Sequence, residues 1–324
     1  MLKSHIVLST LSGPIWINSA TNRAVCLPHQ ALKLEDGDEL VAVFEHGNFL
    51  YQITSASITK VNLVSPESEP EITKLDFVTQ AVKTDDFVVM YESGQKRILI
   101  TNLQTNEQTS VSLPAEARCI AAIVPSQVDP QPYMCVTMFD SNSLLLYRAS
   151  QKLHEIDIQD HVNDQVMNMQ LMELQTSSAE KNGWFLSLTT SRGQLLNFQL
   201  YPEVYHQMVK LNDTSIADSI LRFCQISNQG GFINILQDRF AVNQNNELLA
   251  LYPKSSEINT AFTIETQKIQ VEGLKHPIVE VKVLENGEVM IRGGSDNYHS
   301  ILFGHLVQKE TLSKTIRIEE PYLI

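Results

Sequence analysis

Residues able to do chemistry are spread thinly along this chain of 324 residues. Nine histidines stand at positions 5, 29, 46, 154, 161, 206, 276, 299 and 305, and none forms an HxH or HxxxH ligand pair. A metal-assisted or acid–base site needs such groups, or carboxylates, converging on one reacting atom. His161 has Asp160 and Asp164 near it, but in a polar stretch where acidic neighbours are solvated. Asp85-Asp86 and Glu319-Glu320 are carboxylate pairs. Adjacent residues on a strand point to opposite faces, so neither pair can serve one site unless a turn brings it round, and both read as solvated surface. The four cysteines, Cys26, Cys119, Cys135 and Cys224, include no CxxC pair, which argues against a zinc site or a disulfide framework. Cys119, Cys135 and Cys224 lie in apolar runs and read as small buried hydrophobes. There is no GxSxG elbow, P-loop or GxGxxG. The expectation is no catalytic residue, no metal and no cofactor.

Aromatic side chains are the other candidates, and their chemistry is contact. Trp16 sits in Pro14-Ile15-Trp16-Ile17, and Trp184 opens a strand-like run. Both suit packing in a core or at a strand edge; exposed on a face, either would anchor a partner. Tyr201, Tyr205 and His206, with Pro202, form a second candidate, in a connection with little core to fill.

Charge narrows the partners. With 24 Lys and Arg against 37 Asp and Glu, the net charge is −13, and the longest basic cluster is Lys96-Arg97. Nucleic acid is held through phosphates by a basic stripe, which this sequence lacks. Protein partners with basic surfaces fit better, with no small-molecule substrate expected. No run of about 18 apolar residues occurs, so no membrane-spanning helix is expected. The first residues lack a signal-peptide layout. Together these predict a soluble protein of the nucleus or cytoplasm.

The elements that would carry these residues follow from a recurrent cadence: an apolar run, a polar turn, a second apolar run. It reads ELVAVFEHGNFLYQITSASITKVNL, then FVVMYESGQKRILITNLQTNEQTSVSLP, then YMCVTMFDSNSLLLYRASQKLHEIDI, with further copies before and after. Period-two alternation around a short Gly or Asn turn is a hairpin signal, since tight turns need positive φ. Taking Gly13, Gly47, Gly94, Asn142, Gly193, Asn246 and Asp296 as markers, the gaps are 34, 47, 48, 51, 53 and 50. Self-similarity at about 40–50 residues is the spacing of four-stranded propeller blades. The markers give seven units in one domain spanning residues 1–324. The short first gap places an incomplete unit at the start. Thr315-Ile316-Arg317-Ile318 and His5-Ile6-Val7-Leu8 are the expected seam of a ring closed by both chain ends, because an open ring leaves an unpaired edge.

Between units, residues 64–76 (VSPESEPEITKLD) are acidic and read as a surface loop, as do residues 124–132, 175–183 and 212–217. Residues 162–174 are ambiguous: alternation at Val166, Asn168 and Gln170 favours a strand, whereas Met and Leu also favour a helix.

Several units resemble WD-repeat blades. In residues 87–114, Ser93-Gly94 occupies the turn, Ile98-Leu99-Ile100-Thr101-Asn102-Leu103 the strand whose end would carry Trp-Asp, and Gln104-Thr105-Asn106-Glu107 the outer turn. In the following unit Tyr147 stands where the tryptophan would. The Trp-Asp and Gly-His pairs are absent throughout, so the family's His–Asp network has no counterpart here. Arg292-Gly293-Gly294-Ser295-Asp296-Asn297-Tyr298-His299-Ser300 is similar to the turn of regulator-of-chromosome-condensation repeats, once. The resemblance implies an all-β, seven-bladed propeller acting as a non-catalytic scaffold or adaptor in a multiprotein complex. Two alternatives stand beside it: a hydrolase of the lactonase or glycosidase kind, and an exchange factor of the chromosome-condensation type.

Overall fold

The computed structural model describes residues 5–10, 13–18, 23–26, 32, 34, 37–65, 67–124, 130–159, 165–174, 183–191, 195–200, 221–225, 232–236, 240–243, 245–255, 262–271, 277–283, 288–295, 298–305, 311–312 and 314–318. Among them there is no α-helix. The strands fall into sheets in chain order. The first sheet holds β1 (His5–Thr10), β2 (Gly13–Asn18) and β3 (Arg23–Cys26). The second holds β4 (Leu40–His46), β5 (Phe49–Thr54), β6 (Ser57–Asn62) and β7 (Glu71–Lys74). The third holds β8 (Val78–Thr84), β9 (Phe87–Glu92), β10 (Arg97–Asn102) and β11 (Gln108–Ser112). The fourth holds β12 (Ala117–Ile123), β13 (Tyr133–Met138), β14 (Ser143–Arg148) and β15 (Gln151–Asp157). The fifth holds β16 (Val166–Leu174), β17 (Gly183–Thr190), β18 (Leu195–Leu200) and β19 (Leu221–Gln225). The sixth holds β20 (Phe232–Leu236), β21 (Phe240–Asn243), β22 (Leu248–Ser255) and β23 (Phe262–Val271). The last holds β24 (Ile278–Val283), β25 (Glu288–Ser295) and β26 (Tyr298–His305). β27 (Thr311–Leu312) joins the sixth sheet in parallel beside β23, and β28 (Lys314–Ile318) returns to the seventh beside β26.

Each sheet is an antiparallel meander, and the first strand of one adjoins the first strand of the next, from β1 through β4, β8, β12, β16 and β20 to β24. The apolar core lies between successive sheets. Val88 and Met90 face the second sheet, where they meet Tyr51 and Ile53, while Val89 and Tyr91 face the fourth, with Met134 and Val136. Leu144 and Leu146 pack towards Leu186, Leu188 and Phe198 of the fifth sheet, and Leu145 and Tyr147 towards the third. Consecutive residues of one strand thus enter two different cores. That is why middle strands such as YMCVTM are mostly apolar rather than alternating: both faces are buried. Each large side chain so buried contributes about 1.5–3 kcal/mol. Tyr147 is buried in this interior, in the place the resemblance reserves for a tryptophan.

Four details sharpen or correct the sequence reading. Residues 71–74, expected within a loop, form β7, paired to β6 and exposed at every position. An outer strand with no apolar face to bury shows no alternation. Of the ambiguous segment, residues 166–174 form strand β16, as the strand reading expects, with a bulge at Met167 between Val166 and Asn168; residues 162–164 lie outside the described residues. Among the described unit markers, Gly13 opens β2 and Gly47 lies between the first and second strands of its sheet, whereas Gly94, Asn142 and Asn246 lie between second and third strands; Gly193 and Asp296 lie outside the described residues. The residues proposed as the seam do not pair with each other: Thr315–Ile318 pairs with residues 299–302, and His5–Leu8 with residues 15–18.

Candidate protein-binding face

The two ends of the sheets are chemically distinct. At the end where the first strands finish, Asp85 and Asp86 form the two-residue turn between β8 and β9, with Asp85 at φ 45°. That turn carries Asp86 to His46, 3.5 Å away in the neighbouring sheet, and Gln104 Nε2 donates to Asp86 at 2.7 Å. The carboxylate pair is therefore split by its turn, with Asp85 exposed and Asp86 half-buried. Burial, then the charge of Lys83, holds the His46 pKa below its ordinary value, against Asp86 and Asp85. Among the described residues no group of three or more His, Cys, Asp and Glu could hold a metal ion.

The opposite end, where the first strands begin, is built by a repeated irregularity. On β4, β8, β12, β16, β20 and β24 the register slips by one residue near the start, leaving Val41, Thr79, Arg118, Met167, Ile233 and Val279 without a paired partner. A β-bulge of this kind bends the strand and re-aims a side chain. Among the described residues, four of the six exposed large apolar side chains stand here: Leu40 at 36%, Phe77 at 58%, Phe139 at 52% and Met167 at 54%, with Val64 and Ile72 elsewhere. Leu40 opens β4, Phe77 directly precedes β8, Phe139 directly follows β13 and its N donates to Glu116 O just before β12, and Met167 is a bulged residue of β16. Main-chain contacts confirm that these starts share one end: Ser55 N donates to Glu39 O and Val78 N to Ser55 O, both at 2.8 Å. Phe77 holds φ 53°. A bulky residue in the left-handed region is strained, and such strain gathers where function over-determines the backbone.

Between the fourth and fifth sheets this end opens into a small cleft lined by Arg118, Thr137, Phe139, Asn142, Ile158 and Gln165. The Arg118 guanidinium lies 4.4 Å from the centroid of the Phe139 ring, and its Nη1 donates to Gln165 Oε1 at 3.1 Å. Cation–π contact and hydrogen bond together hold a flexible cation in one orientation. Cys119 and Cys135 are free and buried beneath, as expected of small hydrophobes, and burial raises both thiol pKa values.

Of the aromatic residues singled out in the sequence, two lie on described strands. Trp16 is in β2, opposite Val7 and Val25, and Trp184 is in β17, opposite Glu173 and Leu200, four sheets away. Tyr201, Tyr205 and His206 lie outside the described residues, as do His161 and the pair Glu319-Glu320. The bulge residues were missed because a register slip is a property of two strands. The available signal was an arginine breaking the apolar run Ala117-Arg118-Cys119-Ile120-Ala121-Ala122-Ile123.

No known family model matches the chain, and no curated protein matches it. Solved structures are similar in fold. One, from the crystal structure of the mitotic checkpoint complex, has a TM-score of 0.61 at 9% identity, covering 94% of this chain and 87% of that one. BBS1N, in complex with ARL6DN, gives 0.59 at 11% identity, covering 96% and 90%. Kluyveromyces lactis Hsv2p gives 0.51 at 11% identity, covering 82% of each. These neighbours are β-propellers, and the fold of this chain is propeller-like. A streptogramin B lyase structure is also similar, with a TM-score of 0.51 at 10% identity, covering 84% of each chain, so likeness of fold does not separate binding from catalysis.

Proposed function

We propose that this chain is a non-catalytic interaction scaffold or adaptor subunit: a seven-bladed, WD-repeat-like propeller of the nucleus or cytoplasm that docks other proteins. The observation carrying this reading is the gathering of Leu40, Phe77, Phe139 and Met167, all exposed, at the one end of the sheets where the first strands are bulged. Apolar and aromatic side chains of this size on a rigid framework are the anchors that protein interfaces use. The checkpoint-complex structure and the BBS1N–ARL6DN complex support it by analogy of fold. In this reading the seventh sheet closes the ring against the first through packing, without a shared strand. The net charge of −13 favours partners with basic surfaces at large.

The test is affinity purification of the tagged chain from its native cell, beside a variant carrying Phe139→Ala and Met167→Ala. Wild type should retain stoichiometric protein partners, and the variant should lose at least one of them while keeping its melting temperature. Recovery of wild type alone would end the scaffold reading.

A further inference from the structure

The cleft at Arg118 holds a cation whose binding edge is still open. Arg118 uses one nitrogen, Nη1, on Gln165, and its flat face on Phe139. Among the described residues its remaining guanidinium N–H groups have no hydrogen-bond partner, and no carboxylate pairs with it. Deeper in the same cleft, Thr137 Oγ1 is buried with no hydrogen-bond partner besides the thiol of Cys119 beside it. A guanidinium edge held in one orientation and left open is built to receive a group that accepts hydrogen bonds. The apolar side chains of Phe139 and Met167 stand exposed in the same quarter of the molecule.

We infer that this cleft binds a single carboxylate side chain, Asp or Glu, on a partner polypeptide segment that sets an apolar residue beside it. The site therefore rests on the scaffold reading and names the chemistry of one partner contact. Two features select one carboxylate over a phosphate or an acidic run. Glu116 and Asp140, both exposed, are close neighbours of Arg118 and Phe139 in sequence, and a dianion would face their repulsion. The planar fork of the guanidinium matches the two oxygens of one carboxylate. The acidic surface elsewhere would still attract a partner that is basic overall, with this cleft fixing its register through one acidic residue.

The test uses the whole chain with ¹³C-methyl methionine and ¹⁵N-arginine, titrated separately with acetyl-Leu-Asp-amide, acetyl-Leu-Asn-amide and inorganic phosphate. The aspartyl peptide should shift the Met167 methyl and Arg118 Nε signals saturably, with the asparaginyl peptide at least tenfold weaker and phosphate without saturable effect. Arg118→Met should abolish the aspartyl response; the Arg118 main-chain oxygen still accepts from Gln80, so the fold is retained. Equal response to both peptides, saturable phosphate binding, or an undiminished response in Arg118→Met would each overturn the inference. The two-peptide comparison is made on wild type and stands even if the variant does not fold. A chain that captures partners from cells but ignores the aspartyl peptide would overturn this site and leave the scaffold reading intact.

Discussion

Gln80 on β8 grips the main chain of the neighbouring sheet at Arg118. Its Nε2 donates to Arg118 O at 2.7 Å, and its Oε1 accepts from Ile120 N at 3.0 Å. β12 is the edge strand of its sheet, with no neighbouring strand on its outer side, and one carboxamide from the next sheet satisfies this stretch of its backbone.

Gln80→Leu should therefore destabilise the chain by about 2 kcal/mol, the order expected when a part-buried donor and acceptor lose their partners. Gln80→Glu should cost a similar amount, since a carboxylate still accepts from Ile120 N but repels Arg118 O. Urea unfolding checks both; a Gln80→Leu midpoint equal to wild type would show that solvent replaces the clamp.

Tyr91 makes a second link between the same two sheets. Its hydroxyl accepts from Ala117 N at 3.0 Å in a buried setting. Tyr91→Phe keeps the ring in the core and orphans that N–H, so a loss of about 1–2 kcal/mol is expected. Exchange of the Ala117 amide, followed by NMR, should speed up in the variant; unchanged protection there would refute the link.

Glu92 is buried, pairs with Arg97, and accepts from Asp76 N at 2.9 Å. Arg97 is itself 39% exposed, so solvent screens the pair, yet removing it leaves the buried Glu92 carboxylate without its cation. Arg97→Met should cost about 1–2 kcal/mol, and adding Glu92→Gln should recover most of it, because the amide oxygen still serves Asp76 N. Thermal unfolding of the single and double variants decides the matter: a double variant no more stable than Arg97→Met would contradict the pair's role.

The fold was legible where both faces of a strand are buried. The central residues of YMCVTM and SLLLYR, Met134–Val136 and Leu144–Leu146, are apolar because sheets pack on either side, and their turns announce themselves by Gly, Asn and Asp. Outer strands were not legible, since a strand such as Glu71–Lys74 buries nothing and keeps no alternation. The candidate site was legible least. Residue type drew attention to Trp16 and Trp184, whereas the exposed end is made by bulges at Arg118 and Met167, which exist only relative to a partner strand. Phe139 was visible in its turn, but its exposure was not.

Acid should reveal His46. A histidine whose pKa is lower in the folded chain binds fewer protons folded than unfolded. Its contribution is intact above the unfolded value, about 6.5, and is lost as pH falls below it towards the folded value. Burial leads this shift and Lys83 adds to it, with Asp86 and Asp85 opposing. Urea midpoints should decline between pH 7 and 5.5, and less steeply in His46→Gln. Parallel slopes would remove His46 from the account, leaving His154, whose pKa burial also lowers.

Phe77 should separate stability from function. Its backbone sits at φ 53°, where glycine is unstrained and a bulky side chain is not, and its ring is exposed. Its main-chain oxygen accepts from Ser93 N at 3.1 Å, a bond any residue can keep. Phe77→Gly should thus stabilise the chain, or leave it within about 1 kcal/mol of wild type, because relief of strain offsets the greater freedom of the unfolded glycine. If the bulged end docks partners, the same substitution should lower partner recovery several-fold. A residue retained only for structure would move the two readings together. Opposite movement, with melting temperature held or raised and recovery down, is what the docking face requires; full recovery in Phe77→Gly would take this aromatic out of the interface.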